Sequence, residues 1–541
     1  MLEIFGQSPL THMPDDTTTF SVRQTLRGKN ILLTGASGFV GKVWLCMALS
    51  RIPEIGKIHV VLRRKAGQTP HQRLERMINS SPVFKALHET YGAELPEFLN
   101  QHLRVIEGDV SADNFGFAEE TISGLSGIVD LVLNCAGLVD FSPDIRAAFK
   151  TNVCGGLHAL DLARVLRCPL LHISTAFVAS QHDSQIKEQR SLSRESIDAT
   201  SEYLELEQLV NSGAASGISW VKVSQERADK WGYPNGYAYT KSLAESVILD
   251  NAGEVNVSIF RPTIVESALK FPFSGWNEGT TTCAPLSYFT SKWMRLVQIR
   301  PSNVLDVIPV DMVCEGITTV AAALLSGRAR QIYHCGTSHL NPLNLRFALE
   351  LIDLSHREYT RAHGESYFAN RYLSRFGSVI VNENSFFTVG NMKKLTMILL
   401  DLADLGSDHI PTGVKAQFEK GRKTLNQMKW DLIKAERAVE TFSPYLTEPS
   451  NIFETRHLRS HLVEESDFQF RPEALSWSHY IVNIHEPGLR KWCYPLMEGK
   501  QVESYQPAQH CCLMANDDLI AGEMKEKRSM SSKLFSNQID L

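Results

Sequence analysis

The chain lacks the marks of several common protein classes. Its ten cysteines are scattered, and Cys511–Cys512 is the one adjacent pair. No two stand at C-x-x-C spacing, so neither a zinc site nor a dithiol redox motif is expected, and no metal site is assigned. The simplest reading is reduced thiols in a cytoplasmic protein. There is no long basic run, and 55 Lys and Arg against 60 Asp and Glu leave a net charge of −5. Nothing in that balance suggests a nucleic-acid partner. No apolar run approaches the roughly 20 residues that span a bilayer. A transmembrane span is therefore not expected, while peripheral contact with a membrane and homo-oligomer formation stay open. The first residues lack a basic segment followed by an apolar core, so no secretory signal is read there. No repeat of fixed period is visible.

What the chain has is alternation. At 541 residues it exceeds one ordinary domain. Apolar strands are expected at Asn30–Thr34, Lys57–Leu62, Leu103–Ile106, Asp130–Asn134, Leu170–Ser174 and Val257–Phe260. Helical stretches separate them, which predicts an α/β fold: a doubly wound parallel Rossmann sheet with helices on both faces. After about residue 345 the alternation fades. Leu345–Tyr359, Met392–Leu405 and residues 412–440 carry helical spacing. The expected organisation is a flexible arm at 1–25, a dinucleotide-binding domain at 26–345, a smaller and mostly helical domain at 346–498, and a mobile tail at 499–541. Residues 185–230 read as an insertion covering the substrate site, or as a surface helix without substrate contact. Met392–Leu405 reads as a core helix, a membrane-surface helix or the wall of an acyl tunnel.

Thr34-Gly35-Ala36-Ser37-Gly38-Phe39-Val40-Gly41 follows the first strand and opens a helix. The first glycine permits a sharp turn, the second lets backbone N–H groups approach a pyrophosphate, and the third allows close packing. The helix N-terminus adds partial positive charge. The whole turn is therefore assigned to a dinucleotide, with Ser37, Phe39 and Val40 among the contacts. At the end of the second strand an acid would accept from a ribose 2′-hydroxyl. This chain has Leu62-Arg63-Arg64-Lys65 instead, which suits a 2′-phosphate and favours NADPH, with Arg63 the expected contact. Asp109, followed by Val110, is placed at the adenine. Asn134 and Ala136, in Asn134-Cys135-Ala136-Gly137, are placed at the nicotinamide ribose. Cys135 is read as an inert buried thiol rather than a nucleophile.

Tyr237-Ala238-Tyr239-Thr240-Lys241 sets a Tyr and a Lys four apart, on one face of a helix. A lysine ammonium beside the phenol would lower its pKa, and the phenol would donate a proton to a carbonyl oxygen. Tyr239 has no lysine four residues on and is set aside. A third group on the same oxygen is expected at the end of the fifth strand, where Thr175 is chosen and Ser174 is the alternative. The spacing alone is common by chance. After a glycine-rich turn and six alternating strands it becomes a strong signal.

These motifs together resemble the fatty acyl-CoA reductase family within the extended short-chain dehydrogenases, and look most like its bacterial, alcohol-forming members. The matching stretches are TGASGFVGK (34–42), IHVVLRRK (58–65), HISTAFV (172–178), NGYAYTKSLAE (235–245), IFRPTIVESALKFPFSGWNEG (259–279) and DVIPVDMV (306–313). WSHYIVNIHEPGLRKW (477–492) is a weaker match. The resemblance implies that Thr175, Tyr237 and Lys241 are catalytic. It implies that Gly35, Gly38, Gly41 and Arg63 bind NADPH, and that Pro262 and Thr263 pass close to the nicotinamide. It further implies reduction of a long-chain acyl-CoA to aldehyde, with release of CoA, and then to alcohol. Three other readings stand beside it. They are an aldehyde-forming acyl-CoA or acyl-carrier-protein reductase, a sterol or sugar-nucleotide dehydrogenase, and a non-catalytic dinucleotide-binding regulator. The intact Tyr237/Lys241 pair argues against the last.

Overall fold

Seven short apolar runs build one sheet: β1 Ile31–Thr34, β2 Ile58–Leu62, β3 Leu103–Glu107, β4 Leu131–Asn134, β5 Leu170–Ile173, β6 Val257–Pro262 and β7 Ile332–Cys335. In the computed structural model, which describes residues 19–179, 185–190, 198–212, 219–292, 295–363, 377–381, 388–406, 412–502 and 504–513, all pairings in this sheet are parallel. The spatial order is β7-β6-β5-β4-β1-β2-β3. Successive side chains of β1 point to opposite faces, and both faces are covered. Ile31 and Leu33 pack with Val43 and Met47 of helix Phe39–Arg51 and with Ile317 of helix Val310–Leu325. Leu32 packs with Leu160 of helix Gly155–Leu166 and Ile248 of helix Gly236–Asp250. Burial on both faces is why the strands read as continuous apolar runs. The direction of winding reverses between β1 and β4, which opens a crevice at their carboxyl ends.

Six of the seven strands lie within two residues of their expected ends. β7 escaped notice because its residues, Ile-Tyr-His-Cys, carry no strong apolar signature. Tertiary contacts satisfy it instead: His334 Nδ1 bonds the Glu454 carbonyl at 3.0 Å and Nε2 accepts from Arg261 Nη1 at 3.2 Å.

The ends of the chain differ from expectation. Val22–Leu26 is a short helix with Val22 and Leu26 fully buried, and Ser21 Oγ donates to Glu465 Oε1 at 2.5 Å. That part of the expected arm is fastened to the body; residues 1–18 lie outside the described residues. In the tail, Tyr505 N donates to Ser80 O at 3.0 Å, and Cys511 N to Asn79 Oδ1 at 2.8 Å. Residues 514–541 lie outside the described residues.

Past residue 345 the helices Leu345–His363, Val389–Gly406 and Thr412–Leu446 follow. The chain then returns to the sheet domain. Ile452–Phe453 pairs with Gln185–Ile186, and Leu458, Phe468 and Trp492 join the same core as β1. Helix Val389–Gly406 is not a core helix. Leu395, Ile398, Leu399 and Leu402 are exposed along one stripe, while Thr396 and Leu400 face inward. Among the described residues no helix is long and apolar enough to cross a membrane.

Candidate active site

The glycine turn is built as its sequence demands. Gly35 has φ +73°, and a Cβ there would lie 2.5 Å from the Cys135 backbone. A Cβ on Gly41 would lie 2.3 Å from the Gly35 carbonyl oxygen. The first turn of helix Phe39–Arg51 can thus fold directly against the strand end, its N–H groups directed into the crevice.

A cavity of about 450 Å³ lies at this crevice. Gly35, Gly38, Phe39, Val40 and Gly41 line one side, with Ala136 beside them. Thr175, Tyr237, Lys241, Pro262 and Thr263 line the other. Helix Gly236–Asp250, which carries Tyr237 and Lys241, begins at Asn235, whose Oδ1 accepts from Ala238 N at 2.9 Å and so caps an otherwise orphaned N–H. This fixes the first turn, from which Tyr237 projects.

Around Tyr237 the polar groups are few. The Thr175 hydroxyl draws the phenol down, but burial outweighs it and pushes the phenol up to about 12. The expectation that Lys241 lowers the phenol toward neutrality is not met; desolvation dominates. Lys241 is itself held down to about 8 by burial. Its ammonium donates to the Ile173 carbonyl at 2.7 Å and lies 3.5 Å from His172 Nε2. His172 continues a buried chain in which Thr34 Oγ1 donates to Asn134 Oδ1 at 2.6 Å and Asn134 Nδ2 meets His172 Nδ1 at 3.1 Å. Burial and the Lys241 charge push the His172 imidazole well below its ordinary pKa. Thr34 and Asn134 therefore sit behind the cavity wall rather than in it. Ser174 also lines the cavity, and its buried hydroxyl has no hydrogen-bond partner among the described residues. The Cys135 thiol, pushed up to about 12 by burial, stays protonated.

Tyr239 faces the other way. Its hydroxyl donates to Glu202, which also pairs with Arg227 at 3.1 Å. Helices Ala199–Asn211 and Trp220–Lys230 thereby pack on the outer side of helix Gly236–Asp250, where Leu206 and Ala228 meet Leu243. Among the described residues of 185–230 none lines the cavity, contrary to the expected cover. The cover comes from the far end of the chain. Phe442 and Tyr445 of helix Thr412–Leu446 enter the cavity, and Tyr445 Oη accepts from Asn235 Nδ2 at 2.8 Å. Phe141 stands edge-on to Tyr237, Phe442 and Tyr445 at centroid distances of 6.0, 5.6 and 6.1 Å. No local pattern flagged these aromatics.

Where the adenosine is expected, Arg63 Nη1 lies 3.6 Å from Asp109 Oδ2, and Asp109 Oδ1 is held by Ser111 N at 3.0 Å. The neighbouring Val110 packs on Gly155, and its carbonyl accepts from His158 Nδ1 at 2.8 Å. Arg64 is taken up by Glu107 at 2.8 Å. A second, polar cavity of about 470 Å³ adjoins the glycine turn, lined by Ser37, Lys42, Lys65, Arg73 and Arg76. Arg73 donates to the Arg63 carbonyl. Partial burial and the charges of Arg63 and Arg76 hold the Arg73 guanidinium below its ordinary pKa. Arg73 and Arg76 read in sequence as an ordinary helix surface. Their only signal is position, in the first turns of helix Pro70–Ser80, which follows the basic strand end.

Residues 33–317 match the family model described as Male sterility protein. The chain belongs to this family. It is 28% identical over 500 residues to the alcohol-forming fatty acyl-CoA reductase of Simmondsia chinensis, covering 87% of this chain and 98% of that one. It is 27% identical over 477 residues to fatty acyl-CoA reductase 1 of Rattus norvegicus, covering 86% and 84%. The resemblance read from the motifs is borne out. A reductase domain of a non-ribosomal peptide synthetase from Mycobacterium tuberculosis aligns over 90% of this chain and 96% of that one, at 15% identity and a TM-score of 0.50. A likeness at that identity bears on the fold alone, and it agrees with the doubly wound sheet. The family's cofactor is a nicotinamide dinucleotide, and the glycine turn, the crevice and the unpartnered Ser174 hydroxyl suit one.

Proposed function

We propose that this protein reduces a long-chain acyl-CoA with NADPH, first to the aldehyde with release of CoA and then to the alcohol, at one site. One observation carries the reading: Tyr237 and its Thr175 partner open into a cavity walled by the glycine turn on one side and by aromatic and aliphatic side chains on the other. The dinucleotide supplies the hydride when bound. The protein supplies the rest. Thr175 and Tyr237 direct hydroxyls at the substrate oxygen and stabilise its negative charge. In the first round the oxyanion collapses to the aldehyde as the C–S bond breaks and the thiolate leaves; in the second the oxyanion takes the Tyr237 proton to give the alcohol. Lys241 offsets the charge left on the phenolate and would hold the ribose. The names of the relatives support an acyl-CoA substrate.

The preference for NADPH rests on crowded positive charge. Partial burial and the charges of Arg63 and Arg76 hold the Arg73 guanidinium below its ordinary pKa, a repulsion that a 2′-phosphate would relieve. Arg73→Ala is expected to raise the Michaelis constant for NADPH about 10-fold to 100-fold more than that for NADH, the loss of a hydrogen bond to a charged group. Arg63→Ala serves as the parallel variant. Equal losses with both cofactors would remove the cluster from the phosphate site.

The reaction is tested by incubating the protein with hexadecanoyl-CoA and NADPH and analysing products by gas chromatography. Hexadecanol is expected, and added hexadecanal should also be reduced. Free aldehyde as end product, with added aldehyde untouched, would replace the two-step reading by the aldehyde-forming one.

A further inference from the structure

Beside the catalytic cavity lies a second apolar one of about 280 Å³. The two share walls at Cys283, Leu286, Leu305 and Leu446, so they meet at a neck. Past the neck the walls come from four separate parts of the chain, one of them Val389 and Gly390 at the start of helix Val389–Gly406. Helix Cys283–Lys292 and strand Leu296–Val297 form one part, with Val297 and nearby Ile299 in the lining. Leu345 and Leu349 come from the start of helix Leu345–His363, and Val439 comes from helix Thr412–Leu446.

Apart from Gln298, the polar side chains considered in this lining are already spoken for or stand at its edge. Ser287 Oγ bonds the Glu486 carboxylate at 2.7 Å and Tyr494 Oη at 2.6 Å. Thr290 Oγ1 donates to the Leu286 carbonyl at 3.0 Å. Glu436 is half-buried and pairs with Lys393, and Glu440 is exposed. Protein interiors are close-packed, so a void of this size is not a by-product of ordinary folding. A cavity with such walls does not hold water well and takes an apolar guest.

We propose that this chamber receives the distal part of the acyl chain, with the reacting carbonyl at Thr175 and Tyr237 and the alkyl chain passing the Leu286–Leu446 neck. Leu349 and Val439 then set the chain length accepted. The assignment rests on the acyl-CoA reading above. It also moves the acyl site away from residues 185–230, to the space between helices Cys283–Lys292, Leu345–His363 and Thr412–Leu446. Each methylene taken into the chamber adds about fourfold to apparent affinity until the chamber is full.

The test fills the chamber. Leu349→Trp and Val439→Trp are compared with the parent on octanoyl-, dodecanoyl- and hexadecanoyl-CoA, with thermal melting and dinucleotide binding as checks of folding. The ratio of kcat/KM for hexadecanoyl- to octanoyl-CoA is expected to fall at least about tenfold in each. Leu349→Ala, which enlarges the space, is expected to shift the preference toward longer chains. An unchanged ratio in folded Trp variants overturns the assignment. Binding of dodecanol measured by calorimetry separates the two readings. If no acyl-CoA is turned over, yet dodecanol binds the parent and not the Trp variants, the reaction assignment has failed and the chamber stands. If dodecanol binds parent and Trp variants equally, the chamber assignment has failed whatever the turnover.

Discussion

Tyr237→Phe is expected to lower the rate of reduction by about 10²–10⁴-fold while leaving dinucleotide binding within about twofold of the parent. The phenol is buried and pushed up to about 12, so it carries its proton at neutral pH and can give it up only where charge develops on the substrate oxygen. Phenylalanine keeps the ring and its edge-on contact with Phe141, which preserves the cavity. It removes the proton and the partner of Thr175. Steady-state assays with hexadecanal and a separate titration of dinucleotide fluorescence check both halves. A Phe variant that kept most of its rate would move the donor role elsewhere, and Ser174, with its unpartnered hydroxyl in the same wall, would be tested next. The parent should carry a second signature. Lys241 is held down to about 8. Its useful form is the cation, so the rate is expected to fall as pH rises through about 8, and Lys241→Met should lose that limb of the profile.

Glu245→Ala is expected to cost about 3–5 kcal/mol of stability, the penalty for stranding a buried charge. Glu245 lies one turn beyond Lys241 on helix Gly236–Asp250 and receives Arg261 Nε at 3.0 and 3.1 Å. The two side chains are 3% and 1% exposed, so the guanidinium left behind would have no water to turn to. Urea unfolding gives the measurement. Replacing both partners, Glu245→Leu with Arg261→Met, should recover most of the loss, since the paired charges themselves add little over apolar packing. A single Glu245→Ala variant within about 1 kcal/mol of the parent would mean that the remaining contacts of Arg261, the Gln189 carbonyl and His334 Nε2, suffice. The pair also explains letters of the motif that the chemistry leaves unused. Arg261 lies next to the end of β6, and Glu245 holds it to the helix that carries Tyr237 and Lys241. Losing Glu245 would in addition remove a charge that raises the Lys241 pKa.

Some of this was legible in the sequence alone. The glycine turn, the four-residue Tyr237–Lys241 spacing and six strands are encoded within a few neighbouring residues. A turn that needs positive φ demands glycine, a shared helix face demands its period, and a strand buried on both sides must be apolar throughout. Those local rules were enough to locate the dinucleotide crevice and to single out Tyr237 and Lys241, which line it. They were not enough for the parts assembled at long range. Asn235 and Tyr445 are 210 residues apart, yet their hydrogen bond helps bring the aromatic lining over Tyr237. Arg73 and Arg76 look like any helix surface until the end of β2 is laid beside them. The sequence of 185–230 left open whether it covers the site or lies on the surface; Glu202 and Tyr239 decide that helix Ala199–Asn211 packs on the outer side of helix Gly236–Asp250. Periodicity reports which residues turn inward. Only the tertiary structure decides which inward faces meet, because that depends on the sum of many contacts between segments far apart in the chain.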